Sequence, residues 1–371
     1  MAQHVPVFST VNATQGVGKL PTHIPGLDLV TQGGLPIART TLVTGSAGSA
    51  KTIFAAQFLA EGVRRGEAGV FVTFEESPRD IRRNVLGLGW DVEEWEKKGL
   101  WVFVDASPQM DESVIVGSYD LGALMARIEA AVRRVGAKRV SLDSLGAIFT
   151  QFADGAIIRR ELFRIASALK RMEVTSVMTA ERNDEYGEIS RYGIEEFVAD
   201  NVIILRNVLE EEKRRRTLEI LKFRGTHHQK GEFPFTVIPN EGVVVIPLSA
   251  IELKQGSSNI RITSGNDELD RMCGGGFFRD SIILVTGATG CGKTLTCTEF
   301  IDGGATIGER CLLFAFEESR DQLFRNATGW GVNFEQMERD GLLKVVCVYP
   351  ESAGLEDHLI GMKALIDEFK P

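Results

Sequence analysis

The sequence predicts an α/β fold, a mostly parallel sheet flanked by helices, built once in full and then begun a second time. Three observations predict it. Short apolar runs alternate with helical stretches from residue 40 onward, the order that lays strands in one sheet with crossover helices on both faces. Glycine-rich loops occur at Gly45-Ser-Ala-Gly48-Ser49-Ala50-Lys51-Thr52 and at Gly287-Ala-Thr289-Gly290-Cys291-Gly292-Lys293-Thr294, each between a strand and a helix. The two stretches also keep one register, because 293 − 51 = 242 and, for the acids Glu75 and Glu317, 317 − 75 = 242. Arg83-Asn84 against Arg325-Asn326, Gly99-Leu100 against Gly341-Leu342, and Pro108 against Pro350 hold the same offset. Self-similarity of that extent is a tandem duplication.

Each element has its own signal. Residues 1–18 lack periodicity and read as a flexible lead-in. Thr40–Thr44 is a short buried strand feeding the first loop, and residues 53–62 follow with apolar residues at helical spacing. Val70–Phe74 and Trp101–Val104 are further buried strands. Leu121–Val135 is helical, Arg139–Asp143 is a strand, and Arg159–Arg171 is a long helix. Val177–Ala180, Asn201–Leu205 and Thr217–Lys222 add strands, and Pro234–Pro247 closes the first domain, 19–248, with a hairpin. A linker is expected over 249–262, followed by the first half of a second domain over 263–371. Its strands end at Glu317-Glu318 and Val348, and a helix spans 356–369. Adding 242 to Asp143 gives 385, past Pro371, so the second copy is expected to be a fragment of a longer chain, with apolar strand faces uncovered.

Composition sets outer limits. With 371 residues, 43% hydrophobic and 25% charged, the chain has the make-up of a globular protein. With no basic-plus-apolar leader and no bilayer-length apolar run, a cytosolic protein with no membrane partner is expected. A formal charge of −9 argues against a standing grip on nucleic acid, and the run Lys213–Arg216 reads as a solvated turn. All five cysteines lie beyond residue 272 without metal-like pairing, so they are expected to be buried free thiols, Cys291 in the second loop excepted.

The loops carry the chemistry. In the pattern G-x-x-x-x-G-K-[ST], backbone amides and a helix N-terminus face phosphate oxygens, the lysine neutralises them, and the hydroxyl ligates magnesium. The nucleotide-binding residues are then Gly45, Gly48, Ser49, Ala50, Lys51, Thr52 and Ile53 in the first copy, and Thr289, Gly290, Cys291, Gly292, Lys293, Thr294 and Leu295 in the second. Ala50 replaces the second glycine and is therefore expected to avoid φ > 0. Glu75 and Glu76, and Glu317 and Glu318, end the strand after each loop helix, at the sheet edge where ligands sit. One acid of each pair can activate water while the other acts through the magnesium shell, as for Glu317. Asp143 reads as a magnesium acid or as a helix cap. Lys222-Phe223-Arg224, with His228 and Lys230, suits phosphate or purine recognition, or is a basic turn.

With Glu195-Glu-Phe-Val-Ala-Asp-Asn201, Arg214-Arg-Arg-Thr-Leu-Glu-Ile220, Met272-Cys-Gly-Gly-Gly-Phe-Phe278 and Pro350-Glu-Ser-Ala-Gly-Leu-Glu-Asp-His358 in view, the chain closely resembles the KaiC family from residue 20 to 371. These are RecA-like P-loop NTPases, circadian clock ATPases and autokinases. The resemblance implies a homohexameric ring, with ATP and magnesium held between subunits. Each site would have its loop on one chain and Lys222, Arg224, His228 and Lys230 on the next, with Glu75 or Glu76 as base. It implies that the second domain phosphorylates a Ser-Thr pair, with Glu317 or Glu318 as base. That pair and the tail binding a KaiA-type partner would lie beyond Pro371, so this chain is expected not to autophosphorylate, while a KaiB-type partner would meet the first domain. Two other readings compete: a DNA-dependent RecA-like motor, against which the cation-free stretch Thr150–Gly155 counts, and a nucleotide-gated scaffold.

Overall fold

The first of two units opens with a small ribbon, β1 (Lys19–Leu20) antiparallel to β2 (Leu35–Pro36), on either side of α1 (Leu27–Val30). The computed structural model describes residues 17–107, 121–149, 155–190, 195–210, 212–247 and 257–371. The units are Met1–Ile251 and Glu252–Pro371. The next elements of the first unit are β3 (Thr40–Gly45), α2 (Lys51–Val63), β4 (Gly69–Thr73), α3 (Pro78–Leu86), α4 (Val92–Lys97) and β5 (Trp101–Asp105). There follow α5 (Leu121–Val135), β6 (Arg139–Asp143), α6 (Gly146–Phe149), α7 (Gly155–Arg171), β7 (Thr175–Glu181) and α8 (Glu195–Val198). The unit ends with β8 (Asn201–Glu210), β9 (Lys213–Phe223), β10 (Glu232–Ile238) and β11 (Gly242–Val245).

These strands form one nine-stranded sheet in the order β11-β10-β9-β8-β3-β7-β6-β4-β5. From β8 to β5 neighbours run parallel, and from β8 to β11 they alternate. The expected α/β architecture is the observed one. Successive side chains alternate between faces: Val43, Phe71, Val177 and Ile203 join Phe54 and Phe58 of α2, while Val72, Leu142 and Met178 join Ile128 of α5 and Leu162 of α7. Burial on both faces is why these strands read as continuous apolar runs. Arg139 is wholly buried and ties the layers together, pairing with Glu67 at 2.7 Å and donating to the carbonyls of Pro21 and Phe58. A buried guanidinium needs such partners. Gly62 of α2 leaves room for it, since a Cβ there would lie 2.6 Å from the Arg139 side chain.

One expectation is corrected here. Lys213–Arg216 is the first part of β9, not a turn. β8 and β9 stay paired beyond the reach of β3, with Leu209 opposite Arg214 and Val208 opposite Arg215. In such a two-stranded ribbon exposed cations are tolerated within strand geometry. Among the described residues no helix is long and apolar enough to cross a membrane.

The second unit repeats the first at the offset seen in sequence. β12 (Arg261–Ile262) pairs with β13 (Phe277–Phe278) around α9 (Asp267–Met272), and 261 − 19 = 242. α10 (Lys293–Thr306), β14 (Cys311–Ala315), α11 (Arg320–Gly329), α12 (Phe334–Arg339), β15 (Leu343–Cys347) and α13 (Leu355–Phe369) follow. β14 and β15 pair in parallel, like β4 and β5. The run corresponding to β3 forms no strand, and Ile282 and Leu284 are 98% and 84% exposed. β3 is held by β7 and β8, whereas no strand among the described residues of the second unit pairs with this run. The cysteines also depart from expectation. All five are free, Cys291 and Cys297 are exposed, and Cys273, Cys311 and Cys347 are only half-buried, in a unit whose sheets have two strands each among the described residues. The stretches 1–16 and 248–256, Pro108 and Thr150–Asp154 lie outside the described residues.

Candidate nucleotide site

The first loop leaves β3 at Gly45 and enters α2 at Lys51. Gly45 has no room for a side chain, since a Cβ would sit 2.4 Å from both the Leu205 carbonyl oxygen and Ser49 Oγ. Gly48 takes φ +75°. Ala50 is the N-cap of α2 at φ 70°, ψ 27°, which overturns the expectation that alanine would avoid the left-handed region. Closure of the loop onto the helix requires that conformation whichever residue occupies the position, and Gly292 in the second loop has φ 95°. The methyl group costs about 1 kcal/mol there. α3, α4, α9, α11 and α12 each begin under a capping side chain, whereas α2 and α10 begin uncapped. Their first-turn amides, including those of Thr52 and Ile53 or Thr294 and Leu295, are open to an anion.

Lys51 Nζ donates to the carbonyls of Gly45 and Ser46 at 2.9 and 2.8 Å. Burial lowers its pKa, against the pull of Glu181, Asp143, Glu75 and Glu185. Asp143, at the end of β6, is 7% exposed, accepts a hydrogen bond from Thr179 Oγ1 and has the stabilising hydroxyl of Thr52 beside it. Burial raises its pKa, and the two hydroxyls oppose that rise. Thr52 and Asp143 thus place a hydroxyl and a carboxylate side by side at the loop, the pair of groups that can hold magnesium. Glu75 accepts from Ser144 Oγ at 3.2 Å, and partial withdrawal from solvent raises its pKa, aided by the negative charge of Glu181 and Asp143. Glu76 turns the other way, accepting from Asn84 Nδ2 at 3.2 Å.

Lys222, Phe223, Arg224, His228 and Lys230 fall at the other end of the sheet. Phe223 is opposite Asn201, where β8 begins, whereas Gly45 is opposite Leu205. Lys222 Nζ donates to the carbonyls of Glu196 and Ala199 at 2.8 and 2.7 Å, and burial lowers its pKa. Phe223 is buried, edge-on to His228 with ring centres 5.6 Å apart. Arg224 lies 3.8 Å from Asp200, Lys230 is exposed, and Lys19 steadies the turn by donating to the His227 carbonyl at 2.9 Å. Within one chain, these residues and the loop do not meet.

In the second loop Lys293 Nζ donates to the carbonyls of Gly287 and Ala288, both at 3.0 Å. Thr294 Oγ1 donates to Glu318 at 3.0 Å, and Asn326 donates to the same carboxylate at 3.4 Å. Gly290 has φ +83°, and Thr289 and Cys291 are exposed.

The sequence profile described as "ATPase: KaiC" matches residues 20–250 and again 262–370. The chain belongs to the KaiC family. Over 359 residues it is 68% identical to "Circadian clock protein KaiC3" of Synechocystis sp., covering 96% of this chain and 71% of that protein. It is 56% identical over 367 residues to "Circadian clock oscillator protein KaiC" of Picosynechococcus sp., covering 99% and 71%. The KaiC of Rippkaea orientalis is 57% identical over 363 residues, covering 98% and 70%. The P-loop fold is accordingly that of a KaiC ATPase, a nucleotide-binding enzyme, and the family favours the clock ATPase over a DNA motor. Sequence reasoning overlooked two acids beside the KaiC loop. Glu181 ends β7 directly opposite Gly45. Glu185 accepts from Ser46 Oγ and from the Asn207 amide, the latter at 3.0 Å. An acid ending an apolar run was a visible signal for Glu181, but only strand register places it by the loop.

Proposed function

We propose that the first copy, residues 19–248, hydrolyses ATP at a site that one chain opens and a second chain closes. The observation carrying this reading is the placement of the loop and the basic turn at opposite ends of the sheet: Phe223 stands opposite Asn201, itself beside Thr41, four residue steps or roughly 13 Å along β3 from Gly45. A single triphosphate bound in the loop cannot reach both within one chain, whereas head-to-tail neighbours bring one chain's turn to the next chain's loop. The KaiC-type hexamer is such an arrangement closed into a ring.

The residues divide the work. Glycines and uncapped helix amides of the loop receive phosphate oxygens, and Lys51 exchanges its two loop carbonyls for them. Magnesium, when bound, neutralises charge developing on the transferred phosphate; Thr52 and Asp143 would hold it. Glu75 takes the proton of the attacking water, while Glu76 stays with Asn84. From the neighbour, Lys222, Arg224, His228 and Lys230 supply charge and hydrogen bonds, and Phe223 seats the His228 ring.

We assign the second copy, with Glu317 or Glu318 as base and Glu317 in the magnesium shell, to serine/threonine autophosphorylation in proteins of the relatives' full length. We assign a timing role to the same proteins, with a KaiB-type partner at the first domain and a KaiA-type partner at the far tail. The test is magnesium-dependent hydrolysis per chain as a function of protein concentration. A rate rising steeply with concentration and abolished in Lys51→Ala is expected. A rate that is flat across concentration would refute a site shared between chains, and full activity in Lys51→Ala would refute the loop.

A further inference from the structure

Ser46, the first residue after β3, ties the phosphate loop together from both of its polar ends. Its carbonyl accepts from Lys51 Nζ and Ser49 Oγ, both at 2.8 Å, and from the Ser49 amide at 3.3 Å. Its hydroxyl turns outward and donates to Glu185 Oε1, and the other oxygen of that carboxylate accepts from the Asn207 amide of β8 at 3.0 Å. A carboxylate bridging two donors fixes their separation, and both bonds are charge-assisted.

Glu185 is itself held firmly. It lies in the segment 182–190 after β7, which closes around the buried guanidinium of Arg182: Nε donates to the Glu188 carbonyl at 3.0 Å and Nη2 to that of Gly187 at 3.1 Å. Thr44 Oγ1 donates to the Ile189 carbonyl at 2.7 Å, and the Arg206 guanidinium lies 5.2 Å from the centre of the Tyr186 ring. From β9, Arg216 Nε donates to the Gly48 carbonyl at 3.3 Å. The second loop differs at two positions of this arrangement. Ala288 stands where Ser46 does, since 288 − 46 = 242, and has no hydroxyl to anchor, while Gly292 stands where Ala50 does. The loop that carries a left-handed alanine is thus the one with an anchored serine. A strained backbone persists only where its surroundings over-determine it.

Resting on the reading that the first loop binds the nucleotide that is hydrolysed, we propose that Glu185 is a positioning residue for that loop. Through Ser46 it holds the shape that Ala50 strains, so that Lys51 meets the phosphates without the loop first having to be ordered. The effect falls on binding rather than on the chemical step, because Ser46 and Asn207 occupy both carboxylate oxygens.

The experiment measures magnesium-dependent hydrolysis by the whole chain across ATP concentrations. Ser46→Ala, which gives the first loop the residue of the second, should raise KM about 10-fold with kcat changed by less than about 3-fold, the pattern of lost uniform binding. Glu185→Ala should match it, and the two substitutions together should be no worse than either alone, since both break one link. Glu185→Gln keeps an acceptor for the Asn207 amide and a hydrogen-bonding group for Ser46, and should recover most of the loss seen in Glu185→Ala. Ala50→Gly removes the strain and should recover most of the loss when added to Ser46→Ala. A wild-type or lowered KM in Ser46→Ala, additive losses in the double variant, or no relief from Ala50→Gly would overturn the proposal while hydrolysis stays abolished in Lys51→Ala. Full activity in Lys51→Ala would overturn the loop reading and this inference together.

Discussion

The two copies carry the same loop, loop helix and glutamate pair, yet their threonines hold different acids. The Thr52 hydroxyl stabilises the carboxylate of Asp143 on β6, whereas Thr294 donates to Glu318. In the first copy Asn84 holds Glu76; in the second, Asn326 holds the matching Glu318, which also takes the threonine. The loop itself is insensitive to this change. Both lysines donate to the same two carbonyls of their loops, and both residues before them are left-handed. Local sequence is therefore sufficient for the phosphate cradle, while the acid that would hold a metal is selected by the strand beside it.

The largest contrast should appear in hydrogen exchange. Amides of Leu42–Thr44, bonded between β7 and β8, should exchange at least about 10³-fold more slowly than those of Ile283–Val285. Equal protection would show that the second run finds partners in solution. Next in size, Glu75→Gln should lower ATP hydrolysis by about 10²- to 10³-fold and Glu76→Gln by less than about 10-fold; comparable losses would erase the distinction drawn from Ser144 and Asn84. The same base fixes a pH signature. Glu75 acts deprotonated and its pKa is raised by burial, so activity should fall on acidification at a pH above the ordinary glutamate value of 4.5, in a limb that Glu76→Gln leaves in place. The smallest effect concerns the loops. Ala50→Gly relieves the left-handed strain but loosens the unfolded chain, for a net gain of at most about 0.5 kcal/mol, and Gly292→Ala should lose a similar amount. Thermal unfolding of the two variants reads both, and a destabilised Ala50→Gly would mean the methyl group packs favourably.

Much of this was legible in residues alone. Leu121–Val135 and Arg139–Asp143 match their observed spans, because apolar periodicity and burial act locally. The loops, Glu75 and Asp143, which the fold brings together around Lys51, stood out in sequence because duplication repeats a motif or strand order positions an acid. What was not legible depends on pairing and closure. The φ of Ala50 is imposed by loop geometry against residue preference, Glu181 is brought to the loop by the β3 and β7 register and Glu185 by its bonds to Ser46 and Asn207, and Lys213–Arg216 is strand because β8 continues beside it. Ile282–Val285 is as apolar as β3, but a strand is a property of its neighbours.

The distance between loop and basic turn along β3 also changes what an affinity means for this chain. For a site shared between copies, nucleotide binding and self-association are coupled free energies, and each must strengthen the other by the same factor. A binding constant measured on the dilute chain and an assembly constant measured without nucleotide would then be two corners of one thermodynamic square. ATP level and protein level would act on this molecule as a single variable.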